Sequence, residues 1–237
     1  MGGGVRLCTI AVRGGSKGVP GKNWREFAGL PLFAHSVRQA VDSALFDRIA
    51  VTSDAPAVLD SAAGYGATDV VVRPAELAND TAGKVPAIAH AVVEVEKAMG
   101  RPFDTVVDLD ATSPLRDLAD IVGAVELFER TGADSVITGA VSHRSPYFNL
   151  VEVDPATGVV AVSKPLPAGP LRRQDLPPSF DMNASIYVWK RDALLTDPRV
   201  FYPTTRLFEM PVERSHDIDS ELDFELVSWL WQRKERN

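Results

Sequence analysis

The chain has 237 residues, of which 45% are hydrophobic and 24% charged, a composition typical of one large globular domain or of a domain with a small appendage. The formal net charge of −7 argues against general binding of nucleic acid, which usually needs a basic face. A lone cysteine, Cys8, excludes an intrachain disulfide, and neither a convincing signal peptide nor a membrane-length apolar run is present, so we expect a cytoplasmic protein that binds no membrane.

Short apolar runs alternate with helical patterns through the first half of the chain. Such alternation predicts an α/β fold with a mainly parallel sheet covered by helices on both faces. Ligands of these sheets bind outside the carboxyl ends of the strands. The predicted strands are LCTIAV, RIAVTSD, TDVVVRP, DTVVDLD and ADSVITGAV. The segments RGGSKG, RPAELANDTAGK and LDATSPLR follow strands and are therefore candidates for chemistry.

The pattern changes after residue 142. The segment SPYFNLVEVDPATGVVAVSKPL predicts two strands joined by a turn at DPATG, and ASIYVWK predicts a further strand. Ser220 and Asp223 predict the start of a C-terminal helix. Its inner face is predicted to carry Leu222, Leu226, Val227 and Leu230. We therefore expect a single domain over residues 1–237, with an inserted β-arm at 142–182.

The segment RGGSKGVPGKN, residues 13–23, combines four glycines with the cations Arg13, Lys17 and Lys22. Glycines let the backbone approach a ligand closely, and successive free N–H groups form an anion-binding concavity. Arginine can grip phosphate with two hydrogen bonds, and lysine adds a mobile point charge. The glycine spacing fits neither a P-loop nor a Rossmann fingerprint. The segment thus predicts a polyphosphate-binding loop of another kind.

Several motifs, in order along the chain, resemble those of the CMP-acylneuraminate synthetases, the cytidylyltransferases that activate sialic and related nonulosonic acids. They run from about residue 10 to residue 223 and are VRGGSKGVPGKN, RPAELANDTA, TSPLR, SPYFNLVEV, RRQDLPPSF with NASIYVW, and HDIDSELD. The resemblance implies a Rossmann-like nucleotidyltransferase sheet, dimerisation through the β-arm, and Mg²⁺ as cofactor. It also implies a reaction in which CTP and a nonulosonic acid give the CMP-sugar and pyrophosphate.

The resemblance assigns two segments to the nucleotide. The first comprises Arg13, Gly14, Gly15, Ser16, Lys17, Lys22 and Asn23. The second comprises Arg73, Asn79, Asp80 and Thr81. The residues of ANDT are also common in ordinary turns, so the alternative for the second segment is that its side chains only cap the loop. The implied catalytic residues are Arg13, Lys22 and Asp219, with Lys22 placed to stabilise charge near the reacting phosphates.

Asp217 and Asp219 are the implied metal ligands. On an extended segment, residues i and i+2 point to the same side, and two carboxylates on one side can share a Mg²⁺ that also binds phosphate oxygens. The alternative is that these acidic residues merely open the following helix, where its dipole favours them.

The implied sugar-binding residues are Asp110, Ser113, Arg173, Tyr187 and Phe201. Arg173 would pair with the sugar carboxylate, Tyr187 would be a pocket aromatic, and Phe201 would contact an N-acyl group. An ordinary strand aromatic is the alternative for Tyr187.

Asp110 is a departure from the family pattern, in which the sialate enzymes carry a glutamine that faces the sugar. Glutamine donates and accepts hydrogen bonds, whereas an ionised aspartate only accepts. An acid facing a sugar acid is repulsive unless a metal, a cation or a donor group intervenes. This favours a nonulosonic acid other than N-acetylneuraminate, such as a legionaminate or a pseudaminate, or a role for Asp110 as a metal ligand.

Two other functions are compatible with parts of the sequence. One is a cytidylyltransferase for 3-deoxy-octulosonate, although Gly18 and Val19 stand where that family's opening motif has other residues. The other is a non-catalytic nucleotide-binding protein, against which the intact set of cations and carboxylates argues.

Overall fold

A seven-stranded sheet forms the centre of the described part of the chain. The computed structural model describes residues 4–15, 19–79, 81–167, 172 and 175–236. The strands of this sheet, in chain order, are β1 (Arg6–Ala11), β4 (Arg48–Ser53), β5 (Asp69–Val72), β6 (Thr105–Leu109), β7 (Ser135–Val141), β10 (Phe180–Lys190) and β11 (Arg206–Glu209). Two short antiparallel pairs lie outside it, β2 (Glu26–Phe27) with β3 (Leu30–Pro31) and β8 (Val151–Val153) with β9 (Val160–Val162).

The sheet is mainly parallel, as the alternating pattern predicted. Its spatial order is β11-β7-β10-β6-β1-β4-β5. Only β10 runs against its neighbours: it pairs antiparallel with both β6 and β7. The predicted strands are confirmed, and the α/β fold class is confirmed with them.

Helices cover both faces of this sheet. They are α1 (Leu32–Ser43), α2 (Pro56–Ala62), α3 (Ala75–Ala78), α4 (Lys84–Met99), α5 (Leu118–Thr131), α6 (Arg191–Thr196) and α7 (Glu221–Glu235). One core cluster joins α1, α2 and α5 to the sheet, and a second joins α4 and α6 to the opposite face. The described helices include none that is both long enough and apolar enough to cross a bilayer.

Helix α7 belongs to a third core cluster, with the segment that follows β1. The predicted helix start at Ser220 is confirmed, and Ser220 and Asp223 form a capping box there. The predicted inner face is partly wrong, because Leu222 is 73% exposed and Leu226 is 39% exposed. Val227 is buried as predicted, Leu230 packs against the cluster, and Phe224 is buried in place of Leu222 and Leu226. The helix therefore lies rotated from the predicted orientation.

The predicted hairpin after residue 142 is confirmed as β8 and β9. The Asp154 side chain accepts hydrogen bonds from the backbone of Ala156 and Thr157, and Gly158 has a φ of 70°, so the DPATG turn forms as expected. Cross-strand pairing joins Val151 to Val162 and Val153 to Val160.

Strand β10 is irregular where it passes the carboxyl end of β6. Its pairing with β7 shifts between Met182 and Tyr187, and Ala184 has a left-handed φ of 52°. The Asn183 side chain supports the irregularity: it accepts from the Thr138 hydroxyl at 2.6 Å. This distortion turns Ala184 toward the carboxyl edge of the sheet, where it lines the cavity described next.

Candidate active site

A cavity of about 360 Å³ opens at the carboxyl edge of the sheet. It lies where the segments after β1, β5 and β6 meet the segment before α7, which is the position predicted for ligands of such sheets. The lining residues that bear charged or amide side chains are Arg13, Lys22, Asn23, Arg73, Asn79, Lys84, Asp110, Asp217 and Asp219. Eight of these nine are predicted site residues; Lys84 is not.

Arg73 is the buried cation of this cavity, with 7% of its surface exposed. One guanidinium nitrogen donates to the carbonyl of Thr52 at 3.1 Å, while Nε is buried without a partner. Burial, with a smaller contribution from the neighbouring charge of Arg13, lowers the pKa of Arg73, and attraction from Asp54 and Asp108 opposes this. Arg73 and Arg13 thus place two positive charges close together, an arrangement that an anionic ligand would relieve.

Lys22 reaches across the cavity from the glycine-rich loop to the segment before α7. Its ammonium forms an ion pair with Asp219 at 3.0 Å and donates to the carbonyl of Ile218. Gly21, with a φ of 64°, allows the turn that starts the short helical segment Lys22–Trp24. The predicted catalytic lysine and carboxylate are therefore direct neighbours.

Asn23 presents an unpaired acceptor at the cavity. Its side-chain nitrogen donates to the carbonyl of Arg13 at 3.0 Å, which ties the two ends of the loop together. Its Oδ1 is buried without a hydrogen-bond partner. Since buried polar atoms are usually paired, this oxygen is available to a ligand donor such as an amino or hydroxyl group.

Asp217 and Asp219 line the same cavity because Ile218 between them is fully buried in the third core cluster. The Ile218 N–H also donates to the carbonyl of Thr112 at 3.1 Å, which fixes this segment beside the loop after β6. Burial, followed by repulsion from Asp219, raises the pKa of Asp217. Two carboxylates that line one cavity form a suitable donor pair for a divalent cation.

Asp217 and Asp219 are chemically suited to the expected Mg²⁺ site, although the described residues do not supply a complete set of protein ligands. Among them, no group of three or more His, Cys, Asp or Glu side chains is arranged to hold a metal ion. Magnesium commonly takes one or two carboxylates and completes its shell with water and phosphate oxygens. Asp223, at the start of α7, caps that helix and does not join the pair.

Lys84 is the charged residue lining the cavity that the sequence prediction missed. It is the first residue of α4, and its ammonium lies 2.6 Å from Asp108 and 2.7 Å from Asp110. Burial opposes the charge on Lys84, but attraction to both carboxylates outweighs it and raises the pKa. The same pairing outweighs the effect of burial on Asp110 and lowers its pKa to about 2. Lys84 and Asp110 are therefore both ionised at neutral pH.

Arg116, in the TSPLR motif, is also missing from the predicted set and organises the loop beneath the cavity. It is 1% exposed and donates to the carbonyls of Asp110, Ser113 and Ser185, at 2.6, 3.0 and 3.0 Å. A further bond reaches the hydroxyl of Ser36 at 3.2 Å. Burial lowers the pKa of Arg116 to about 10, so the guanidinium stays charged near neutral pH.

Asn79 and Thr81 make the turn contacts expected of ANDT. The Asn79 side-chain oxygen accepts from the N–H and hydroxyl of Thr81, at 3.0 and 2.7 Å, and from the N–H of Ala82 at 2.8 Å. Asn79 lines the cavity, while Thr81 is exposed and is bound to Asn79. Loop capping therefore accounts for these contacts, and Asn79 additionally faces the ligand space.

Four predicted site residues lie outside the described residues. They are Ser16, Lys17, Asp80 and Arg173. Of the two predicted glycines, Gly15 lines the cavity, whereas the N–H of Gly14 donates to Asp54 at 2.8 Å.

Three predicted sugar-binding residues do not line the cavity. Ser113 is buried beneath it, with an unpaired hydroxyl. Tyr187 is buried in the second core cluster, where it stacks on Trp189 and lies 5.4 Å from the Lys84 ammonium. Phe201 is 60% exposed and follows Val200, whose carbonyl accepts from the hydroxyl of Ser135 at the start of β7. That position is at the amino edge of the sheet, opposite the cavity.

Comparison with known proteins places this geometry in context. The model of a family described as cytidylyltransferase matches residues 7–235. The chain is 44% identical over 228 residues to post-translational flagellin modification protein B of Campylobacter coli, covering 96% of this chain and 95% of that protein. It is 42% identical over 224 residues to CMP-N,N'-diacetyllegionaminic acid synthase of Campylobacter jejuni, covering 94% of each. A solved CMP:2-keto-3-deoxy-manno-octonic acid synthetase complexed with CTP shares the fold, with a TM-score of 0.72 at 17% identity over 97% of this chain and 99% of that one.

Proposed function

Because this chain belongs to the cytidylyltransferase family and is a nucleotidyltransferase enzyme, we propose that it transfers CMP from CTP to the anomeric hydroxyl of a nonulosonic acid, with release of pyrophosphate. The observation that carries this proposal is the convergence of Arg13, Lys22 and Arg73 with Asp217 and Asp219 in one cavity. Phosphoryl transfer of this kind needs positioned reactants and neutralised phosphate charge more than an elaborate nucleophile.

In the proposed mechanism, Arg13 and Arg73 bind the triphosphate and hold its α-phosphate for in-line attack by the sugar hydroxyl. Lys22 stabilises the charge that develops as the bond to pyrophosphate breaks. Asn23 accepts a hydrogen bond from the nucleoside through the oxygen that has no protein partner. Ser16, Lys17 and Asp80 are proposed to complete the nucleotide site.

Asp217 and Asp219 are the proposed ligands of Mg²⁺. When bound, the cation supplies charge neutralisation and orientation for phosphate oxygens. The ion pair between Lys22 and Asp219 must then be shared or exchanged, since both cations would address the same carboxylate. In the proposed mechanism the cation replaces Lys22 at Asp219, and the Lys22 ammonium then contacts a phosphate oxygen.

We propose an N,N'-diacetyllegionaminic-type acid as the preferred acceptor. The name of the relative that is 42% identical supports this choice. Asp110 supports it as well, because this position departs from the glutamine of the sialate enzymes. Arg173 is the proposed partner of the sugar carboxylate.

The test is a pyrophosphate-release assay with purified protein, CTP, Mg²⁺ and a panel of sugar acids. We expect turnover that is highest with diacetyllegionaminic acid, lower with N-acetylneuraminic acid, and specific for CTP over other nucleotides. The Asp217→Asn, Asp219→Asn double variant is the background control. Lack of pyrophosphate with every nonulosonic acid tested would refute the proposal.

We also propose that the protein is a homodimer that pairs through the β-arm at 142–182. Val151, Val153 and Val160 lie on one face of the hairpin and are 52–60% exposed. A two-stranded hairpin is marginal in water unless such a face is covered. Light scattering should give a dimer, and Val153→Lys with Val160→Glu should give a monomer, while Ala161→Lys, on the other face, should leave the dimer intact.

A further inference from the structure

Lys84 is held at an unusual place for a cation. Lys84 is the first residue of α4, where the helix dipole disfavours positive charge, so nearby negative charge is needed to stabilise the ammonium. Asp108 and Asp110 supply that charge from the end of β6, at 2.6 and 2.7 Å. The Lys84 side chain nevertheless keeps 30% of its surface exposed, and it lines the cavity beside Asp110.

The hydrogen-bond capacity of this cluster is only partly used within the described residues. An ammonium has three donors, of which one is hydrogen-bonded to Asp110, while Asp108 forms an ion pair with the same nitrogen. On Asp110, Oδ1 accepts from the N–H and the hydroxyl of Thr112, at 2.8 and 2.7 Å, and Oδ2 accepts from Lys84. One Lys84 donor and one lone pair of Asp110 Oδ2 therefore remain, side by side, for a ligand.

Asp108 fixes the geometry of this pair from below. Its carboxylate is fully buried, and Oδ1 accepts from the Thr9 hydroxyl at 2.8 Å on the neighbouring strand β1. Because Asp108 cannot rotate without breaking that bond, the ammonium is held in one place. A fixed donor beside a fixed acceptor can discriminate between ligand groups.

We propose that Lys84 and Asp110 form a donor–acceptor pair that binds an amide substituent of the acceptor sugar acid. The amide carbonyl accepts from the Lys84 ammonium, and a hydroxyl of the same sugar next to the amide donates to the Asp110 carboxylate, because the C=O and N–H of a trans amide point in opposite directions. This inference rests on the proposed function, and it assigns Lys84 as a residue that determines specificity at the same site.

Charge favours an amide over an anion at this position. Two carboxylates and one ammonium leave the cluster with a net negative charge, so it repels a phosphate or a carboxylate, for which Arg13 and Arg73 are better partners. The ammonium also occupies the place beside Asp110 that a metal ion would need. A neutral acceptor for Lys84, such as an amide carbonyl, with a neutral donor for Asp110 beside it is therefore the best complement.

The experiment compares two acceptor acids that differ only in carrying an acetamido or a hydroxyl group at one carbon. In Lys84→Met, the ratio of kcat/KM for the acetamido acid over the hydroxyl acid should fall about 10-fold or more, the scale of a lost polar contact in a shielded pocket. The KM for CTP should change less than about 2-fold, because the nucleotide is bound by other residues. Lys84→Arg, which keeps the cation, should retain most of the preference.

A second variant covers the case in which Lys84→Met leaves two carboxylates unpaired and fails to fold. The triple variant Asp108→Asn, Lys84→Met, Asp110→Asn removes all three charges together, and the same loss of preference is expected. If the ratio of kcat/KM values is unchanged in the variant that folds, even with an equal loss for both acids, the inference is overturned while the proposed function stays in place. A wild-type protein that releases no pyrophosphate with either acid would overturn both.

Discussion

Arg116 offers the strongest test of how the loop beneath the cavity is held. The substitution Arg116→Met keeps much of the side-chain volume but removes four hydrogen bonds, to Ser36, Asp110, Ser113 and Ser185. Three of the acceptors are backbone carbonyls that would lose a charged donor. A buried group left unsatisfied costs about 1–3 kcal/mol, and breaking a buried charged network typically costs about 3–5 kcal/mol in total.

We take about 3–5 kcal/mol as the expected loss, because the four bonds share one side chain and their costs do not add fully. In a protein of this length, each kcal/mol lowers the Tm by about 2–4 °C, so Arg116→Met should unfold about 6–20 °C below wild type. Arg116→Lys should lie between the two, since it keeps the charge and loses the planar fork.

The assay is thermal unfolding followed by circular dichroism at matched protein concentration. Arg130→Met is the control, because Arg130 is exposed near the end of α5 and its loss should change the Tm little. A Tm for Arg116→Met within about 2 °C of wild type would show that the four contacts contribute little, and would refute the reasoning above.

Three further predictions concern the reacting groups and the packing. Asp219→Asn should lower turnover by about 100-fold or more if this carboxylate holds a catalytic cation, and near-wild-type turnover at saturating Mg²⁺ would remove it from the site. Lys22→Ala should lower kcat more than it raises the KM for CTP, whereas an effect on KM alone would indicate a plain binding residue. Gly123→Ala should lower the Tm although alanine favours a helix, because a Cβ there would lie 2.5 Å from the Phe208 ring. Gly64→Ala, which meets no atom within 4 Å, is its control.

The carboxyl edge of the sheet could be predicted because it depends on topology alone. Parallel strands end at one edge, so the segments after β1, β5 and β6 had to meet there. Arg13 and Arg73 lie at this edge for that reason. Asp217 and Asp219 follow from alternation in an extended segment, with Ile218 supplying the buried anchor.

Phe201 could not be placed in the same way, because a sequence pattern does not give the direction of a strand. Strand β10 runs antiparallel to β6 and β7, so the chain that follows it emerges at the amino edge. A residue shortly after β10 therefore lies opposite the cavity. The exposed face of α7 was mispredicted for a related reason: Leu222 and Leu226 have the same spacing as core residues, and only packing against the third cluster decides which stripe is buried.

Lys84 and Arg116 were missed because their roles depend on partners distant in sequence. Lys84 lies 26 residues from Asp110, and Arg116 lies 69 residues from Ser185. Neither residue stands out by local pattern, although a lysine as the first residue of a helix runs against the dipole and is a usable signal. The repulsion expected between Asp110 and a sugar acid is answered by this lysine, which pairs with the carboxylate.

The charge balance of the cavity explains why a divalent cation belongs to the proposed mechanism. Among the described lining residues, four cations and three carboxylates leave a net charge of +1, in a chain whose net charge is −7. A triphosphate carries several negative charges, so these side chains alone cannot neutralise it. Asp217 and Asp219 are two of the three carboxylates, and without a cation between them they would repel the phosphates that Arg13 and Arg73 attract. Asp217 and Asp219 would therefore repel CTP in the absence of a divalent cation, and the same two residues would favour CTP binding once they hold one.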